Sequence, residues 1–92
     1  MSFTLKQLRY FVAVAEKGSV IGAAQTLSIS QSAVTEALKN LEADLGVPLF
    51  ERLPGGLKLT AAGEVFARHA IVVLQDAERA RSELDALKGL RT

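Results

Sequence analysis

The segment SQSAVTEALK, Ser30 to Lys39, crowds short hydrogen-bonding side chains into a stretch with helical spacing. Val34, Leu38, Leu41 and Leu45 form one apolar stripe, which leaves Gln31, Ser32, Thr35, Glu36, Lys39 and Asn40 on the opposite side. A helix that only fills space is usually solvated by long, strongly helix-forming charged residues. A face rich in Ser, Thr, Gln and Asn instead suits a partner with hydrogen-bonding edges, and duplex DNA is such a partner. Gln pairs bidentately with adenine, the Thr methyl meets the methyl of thymine, and a Glu carboxylate accepts from cytosine N4. Ser30 stands where an N-cap belongs, and the helix N-terminus behind it favours an approaching phosphate. The spacing alone also fits a solvated surface helix, in which Glu36 and Lys39 form an i,i+3 ion pair worth about 0.2–0.5 kcal/mol.

Other residue sets exclude rival chemistries. The chain has no cysteine and a single histidine, His69, so thiol chemistry and a Cys/His metal cluster are out of reach. Its carboxylates are scattered, with no nucleophile–base pair beside them. Gly55-Gly56 is not followed by the Lys-Ser/Thr of a phosphate loop, and a turn explains it better. Neither an enzyme nor a cofactor is expected.

The elements that must hold the polar face can be read from periodicity and caps. Leu5, Leu8, Phe11, Val12 and Ala15 predict a first helix from about Thr4 to Lys17, stopped at Gly18. Ser19 caps a second, shorter helix carrying Val20, Ala23, Ala24 and Leu27 on one face. After the break at Ser28-Ile29-Ser30, the third helix runs to Gly46, with Pro48 beyond it. Small Ala24 lies where the second and third helices cross, and Leu27, Ile29, Val34 and Ala37 fill the corner between them. The result is a helix-turn-helix whose second member presents its N-terminal turns outward. Ser28 occupies the turn, where glycine is common because the backbone there often needs φ > 0.

Leu49–Leu53 and Leu57–Thr60 flank Pro54-Gly55-Gly56 and predict a two-stranded ribbon that leans on the helices through Leu49 and Phe50. Thr60 then caps a helix reaching to near Leu87. Along it Phe66, Ala70, Val73, Ala77, Ala80, Leu84 and Leu87 alternate at four- and three-residue steps, a heptad seam that predicts a helix–helix dimer interface.

Composition sets the remaining bounds. Ninety-two residues, 49% of them apolar, suffice for one core without cross-links. The net charge of +1 means that any basic surface is local. The absence of cysteine suits a reducing compartment, and the apolar runs Tyr10–Ala15 and Ile71–Leu74 are too short to span a bilayer. A soluble cytoplasmic protein is the expectation.

Three signatures occur in order: LRYFVAVAEKGSVIGAAQTLSISQSAVTEALKNLE, then LG..LF.R, then LTAAG opening the long helix. Over essentially its whole length the chain resembles the DNA-binding half of a LysR-type transcriptional regulator. The resemblance implies a mainly α, winged helix-turn-helix fold, a three-helix core plus a two-stranded β wing over residues 1–59, followed by a long dimerisation and linker helix over 60–92. It implies a homodimer on an interrupted palindromic operator in double-stranded DNA, with the third helix (about 30–45) in the major groove and the wing near the minor groove. The effector-binding domain that normally follows lies outside this chain, and with it a small-molecule effector and any tetramer. Gln31, Ser32, Ala33, Thr35 and Glu36 fall on the family's recognition-helix positions, and Arg52 matches the arginine of LF.R. Ser30 and Lys39 complete the expected DNA-binding set, with Arg9, Ser19 and Lys58 as further candidates for phosphate contact. The chain departs from the family at Glu36, where arginine is frequent, and at Leu53-Pro54-Gly55-Gly56, a wing tip without a basic residue. The rival reading is a helical dimerisation or scaffold module, which the heptad seam alone would also allow. Salt-dependent, sequence-selective binding of duplex DNA separates the two.

Overall fold

In the computed structural model, which describes residues 2–89, the chain forms α1 (Leu5–Lys17), α2 (Val20–Leu27), α3 (Gln31–Leu45), β1 (Phe50–Leu53), β2 (Gly56–Leu59) and α4 (Ala61–Gly89). Hydroxyl caps start the helices. Thr4 Oγ1 accepts from the Gln7 amide at 3.1 Å while the Gln7 side chain accepts from the Thr4 amide at 2.9 Å, a reciprocal capping box that puts Thr4 just outside α1. Ser19 Oγ accepts from Gly22 N at 2.9 Å, and Ser30 Oγ from Ala33 N at 3.1 Å. The turn between α2 and α3 adopts the left-handed conformation that glycine favours, yet holds Ser28 at φ 57°. Its N–H donates back to the carbonyls of Ala24 and Gln25 and closes α2.

The core is built from Leu8, Phe11 and Val14 of α1, Ala23 and Ala24 of α2, Val34, Leu38 and Leu41 of α3, Leu49, and Ala70 of α4. The two alanines let α2 approach its neighbours closely, with Ala24 at the crossing as expected and Ala23 enclosed beside it. On α1 the buried arc differs from the predicted one: Val14 is enclosed, whereas Leu5 is exposed and borders an open groove against α4. The cause is that α1 is the central helix, packed by α2, α3 and α4, so its covered arc centres on Phe11. The Phe11 ring lies 5.4 Å from Phe50 and 5.3 Å from Phe66, which in turn meets Phe3 edge-on at 5.5 Å. One aromatic thus ties both the wing and α4 to α1.

The ribbon is shorter than predicted at one end and its turn is tighter. Strand β1 begins at Phe50: the carbonyl of Leu49 still accepts from Thr60 N, opposite it in the ribbon register, at 3.0 Å, but its N–H is diverted to Glu42 Oε2 at 2.6 Å. Pro54-Gly55 alone form the loop, and Gly56 is already the first residue of β2, paired with Leu53. A side chain at Gly56 would run into the Gly18 carbonyl, which accepts from Leu57 N at 2.9 Å. Glycine therefore lets the wing seat against the α1–α2 turn. Thr60 is the cap of α4 rather than the end of β2: its hydroxyl accepts from Gly63 N at 3.0 Å and donates to the Pro48 carbonyl at 2.8 Å. Gly63 sits against the Leu49 carbonyl, where a Cβ would overlap it.

The largest correction concerns α4. Ala70 is 1% exposed inside the chain's own core, and Phe66 and Leu74 pack on that core as well. Ala70, predicted at the start of a dimer seam, is thus enclosed within the chain itself, and Phe66 beside it is half-buried against Phe3 and Phe11. From Val73 onward the seam residues are exposed, with Val73 at 44%, Leu84 at 61% and Leu87 at 56%. This outlying stretch of α4 gives the molecule its length, 54 Å against 26 and 19 Å in the other directions.

Candidate nucleic-acid interface

The buried stripe of α3 fixes where its polar residues point. With Val34, Leu38 and Leu41 held in the core, Gln31, Ser32, Thr35, Glu36, Lys39 and Asn40 are all exposed and border one open depression along the helix. Ala33 and Ala37 turn toward α1 and border the groove between the two helices. Ser30 is occupied first as a cap, and its hydroxyl also lies 3.2 Å from that of Ser32. The Glu36–Lys39 ion pair that a merely solvated helix would allow is not formed. The salt bridges among the described residues, Asp76–Arg79 at 3.9 Å and Asp85–Lys88 at 3.7 Å, both lie on α4.

The wing delivers one cation to this face. The register pairs Arg52 with Leu57 and Phe50 with Leu59, so strand alternation sets Arg52 on the side of the ribbon that carries Phe50 inward. Arg52 therefore joins Ser19, Ile21, Gln31, Thr35 and Gly55 around a groove of about 530 Å³ between α2, α3 and the ribbon. It also borders, with Thr35 and Lys39, a smaller recess farther along α3.

Two predicted phosphate contacts do not join them. Lys58 is paired with Glu51 on the opposite face of the ribbon. Arg9 borders the α1–α4 groove with Leu5, Glu78 and Arg81, because it lies on the side of α1 turned to the long helix.

The family follows from comparison with known proteins. Residues 5–64 match the model of bacterial regulatory helix-turn-helix proteins of the lysR family. The chain belongs to the lysR family. It is 50% identical over 76 residues to the HTH-type transcriptional regulator ClcR of Pseudomonas putida, a match covering 83% of this chain and 26% of that protein. To the regulator BudR of Klebsiella aerogenes it is 46% identical over 89 residues, covering 92% of this chain and 62% of that protein. The chain thus spans about a quarter of ClcR and under two thirds of BudR. Among solved structures, a CbnR_DBD–DNA complex superposes with TM-score 0.87 at 43% identity, covering 94% of this chain and 99% of the other. A complex of BenM_DBD with catB site 1 DNA gives 0.90 at 36%, covering 94% and 97%.

Within this lysR-family domain, three residues escaped the sequence reading. Lys6 and Tyr10 border the α1–α3 groove opposite Glu36 and Asn40, with Lys6 Nζ 5.9 Å from the centre of the Tyr10 ring. Their i,i+4 spacing away from the Leu8–Phe11–Val14 stripe was the available signal. Glu42, half-buried, holds the start of the ribbon to α3 through Leu49 N at 2.6 Å and Phe50 N at 3.4 Å. Nothing in the local sequence marks a contact across that loop.

Proposed function

We propose that this lysR-family domain binds duplex DNA with sequence preference, as a homodimer, and is the DNA-reading part of a bacterial transcription regulator acting in the cytoplasm. The observation that carries this reading is the convergence of Ser19, Gln31, Thr35 and Arg52, from three separate elements, on one groove. An α-helix fits the major groove, and α3 offers base edges its Gln31, Ser32, Ala33, Thr35 and Glu36, with Ser30 and Lys39 nearer the backbone. Arg52 follows on the wing toward the minor groove. The DNA complexes of CbnR_DBD and BenM_DBD support the reading, since both share this fold at 43% and 36% identity.

Dimerisation completes it. Val73, Ala77, Ala80, Leu84 and Leu87 leave an apolar stripe on the outlying part of α4, and a second copy of that stripe is its natural cover. A two-fold dimer then reads an interrupted palindrome whose half-sites lie about 10 base pairs apart or a multiple of that. Residues 1–59 supply the reading head and 60–92 the linker, although the first turns of α4 are built into the head's core. In a longer protein, binding of a small-molecule effector would fall to a part beyond this chain.

Selection from a random duplex library, followed by anisotropy titration between about 50 and 200 mM salt, tests the proposal. Paired half-sites should be enriched, and their affinity should fall steeply with salt. Equal binding of selected and scrambled duplexes would leave only a dimerisation module.

A further inference from the structure

The outward crest of α3 carries a carboxylate that no intramolecular partner uses. Glu36 is the single acid between Gln31 and Asn40, is exposed, and belongs to neither salt bridge among the described residues. Its direction follows from the buried stripe. At ~100° per residue it stands roughly 140–160° around the axis from each of Val34, Leu38 and Leu41. Gln31 and Thr35 are turned to the wing, and Ala33 and Ala37 to α1. Glu36 lies between these flanks, bordering the outer depression and the α1–α3 groove but not the wing groove.

When a helix enters a major groove, its crest lies deepest, against the base edges, while its flanks can reach either base edges or the sugar–phosphate walls. On those edges an ionised carboxylate can only accept. Guanine offers acceptors, thymine an acceptor and a methyl, and adenine a donor beside an acceptor; cytosine alone offers a donor without a competing acceptor. The cost of bringing a carboxylate among phosphates is offset locally, because Lys39 borders the same outer depression and Lys6 the same α1–α3 groove.

We infer that Glu36 is a specificity-determining residue, which selects cytosine at one position of each half-site by accepting a hydrogen bond from the N4 amine. The inference rests on the reading of this domain as a duplex-DNA binder.

The test is parallel site selection, in one salt, with the wild-type chain and its Glu36→Gln, Glu36→Ala and Glu36→Arg variants, each checked for unchanged helicity. A good base contact discriminates by about 5- to 150-fold, and a single accepted bond belongs at the lower end, about five- to tenfold. Wild type should enrich cytosine at one position per half-site. Alanine should lose that preference, glutamine should move it to adenine, and arginine to guanine, while the other positions hold. A chemical cycle isolates the atom involved. On a duplex whose selected cytosine is replaced by a pyrimidinone lacking the amine, wild type should lose the same five- to tenfold and Glu36→Ala should lose nothing further. Identical base frequencies for all four proteins would overturn the inference and leave the DNA-binding dimer standing. Loss of affinity for the pyrimidinone duplex that is equal in wild type and Glu36→Ala would overturn it too. Absence of any enriched site with wild type would overturn the DNA-binding reading itself, and the inference with it.

Discussion

Replacing Glu42 should loosen the wing from the recognition helix and destabilise the whole domain. Its carboxylate accepts from Leu49 N at 2.6 Å, a short charge-assisted bond, and from Phe50 N at 3.4 Å, too long to contribute much. Leu49 is among the most deeply buried side chains, so its N–H has little access to water once the acceptor is gone. A bond to a charged group contributes about 1.5–3 kcal/mol, and we expect Glu42→Ala to cost about 2 kcal/mol. For a domain of this size that is a fall in Tm of roughly 8–16 °C. Glu42→Gln keeps an acceptor without the charge and should cost about half as much. Urea unfolding followed by circular dichroism measures both, at one protomer concentration because a dimer's stability depends on it, and with m unchanged. The Glu42→Ala protein that remains folded should also bind DNA more weakly, since β1 carries Arg52 only two residues beyond Phe50. A Glu42→Ala midpoint equivalent to a loss of less than about 0.5 kcal/mol, the range of ordinary surface changes, would refute the reasoning.

Three further outcomes are expected. Val73→Glu with Leu84→Glu should yield folded monomers in sedimentation velocity, whereas Ala70→Glu, which buries an unpaired charge, should unfold the chain; a wild-type chain that is monomeric at high micromolar concentration would remove the α4 interface. Arg52→Ala should weaken binding to all sequences and flatten the slope of log K against log salt by about 0.9 per lost phosphate contact, and an unchanged slope would take the wing away from the DNA backbone. Ser28→Gly should stabilise the domain by about 0.5–1 kcal/mol in thermal melts, because glycine holds the left-handed turn without the Cβ strain that serine bears there; a destabilised variant would contradict this account of the turn.

The order and ends of the helices were legible because each start is marked by a hydroxyl and two of the stops by glycine. Ser19, Ser30 and Thr60 cap as their side chains predict, and Thr4, read from spacing as the first helical residue, proves to be the cap just outside α1. What spacing could not tell was which body covers a given face. The step from Phe66 to Ala70 is the same whether a second copy or α1 lies opposite, and only the packing of Phe66 against Phe3 and Phe11 decides it. The misplacement of Lys58 has an equally definite cause. A three-residue Pro54-Gly55-Gly56 loop would oppose Arg52 to Lys58 and put both on one face. The two-residue loop shifts the register by one, opposes Arg52 to Leu57, and sends Lys58 to the far side. Glu42 was invisible for another reason: its partners are backbone amides, which carry no sequence signature.

The same rearrangement bears on how a chain with a net charge of +1 could hold DNA. With Arg9 and Lys58 turned elsewhere, the cations among the described residues that border the grooves along α3 are Arg52, Lys39 and Lys6. If each neutralises one phosphate, a single protomer has a salt slope of about −2.7, and a fourfold rise in salt weakens it only about 40-fold. That is the signature of a small electrostatic term. Two protomers on one site would bring the slope to about −5.4 and the loss to roughly 2000-fold, within the range of specific binders making six or more phosphate contacts. Base discrimination would multiply in the same way, since each copy would read one half-site. If the domain binds DNA as proposed, the exposed stripe from Val73 to Leu87 is not an accessory to the reading head: on so weakly basic a surface, pairing through α4 is what would make three cations and a few base contacts sufficient.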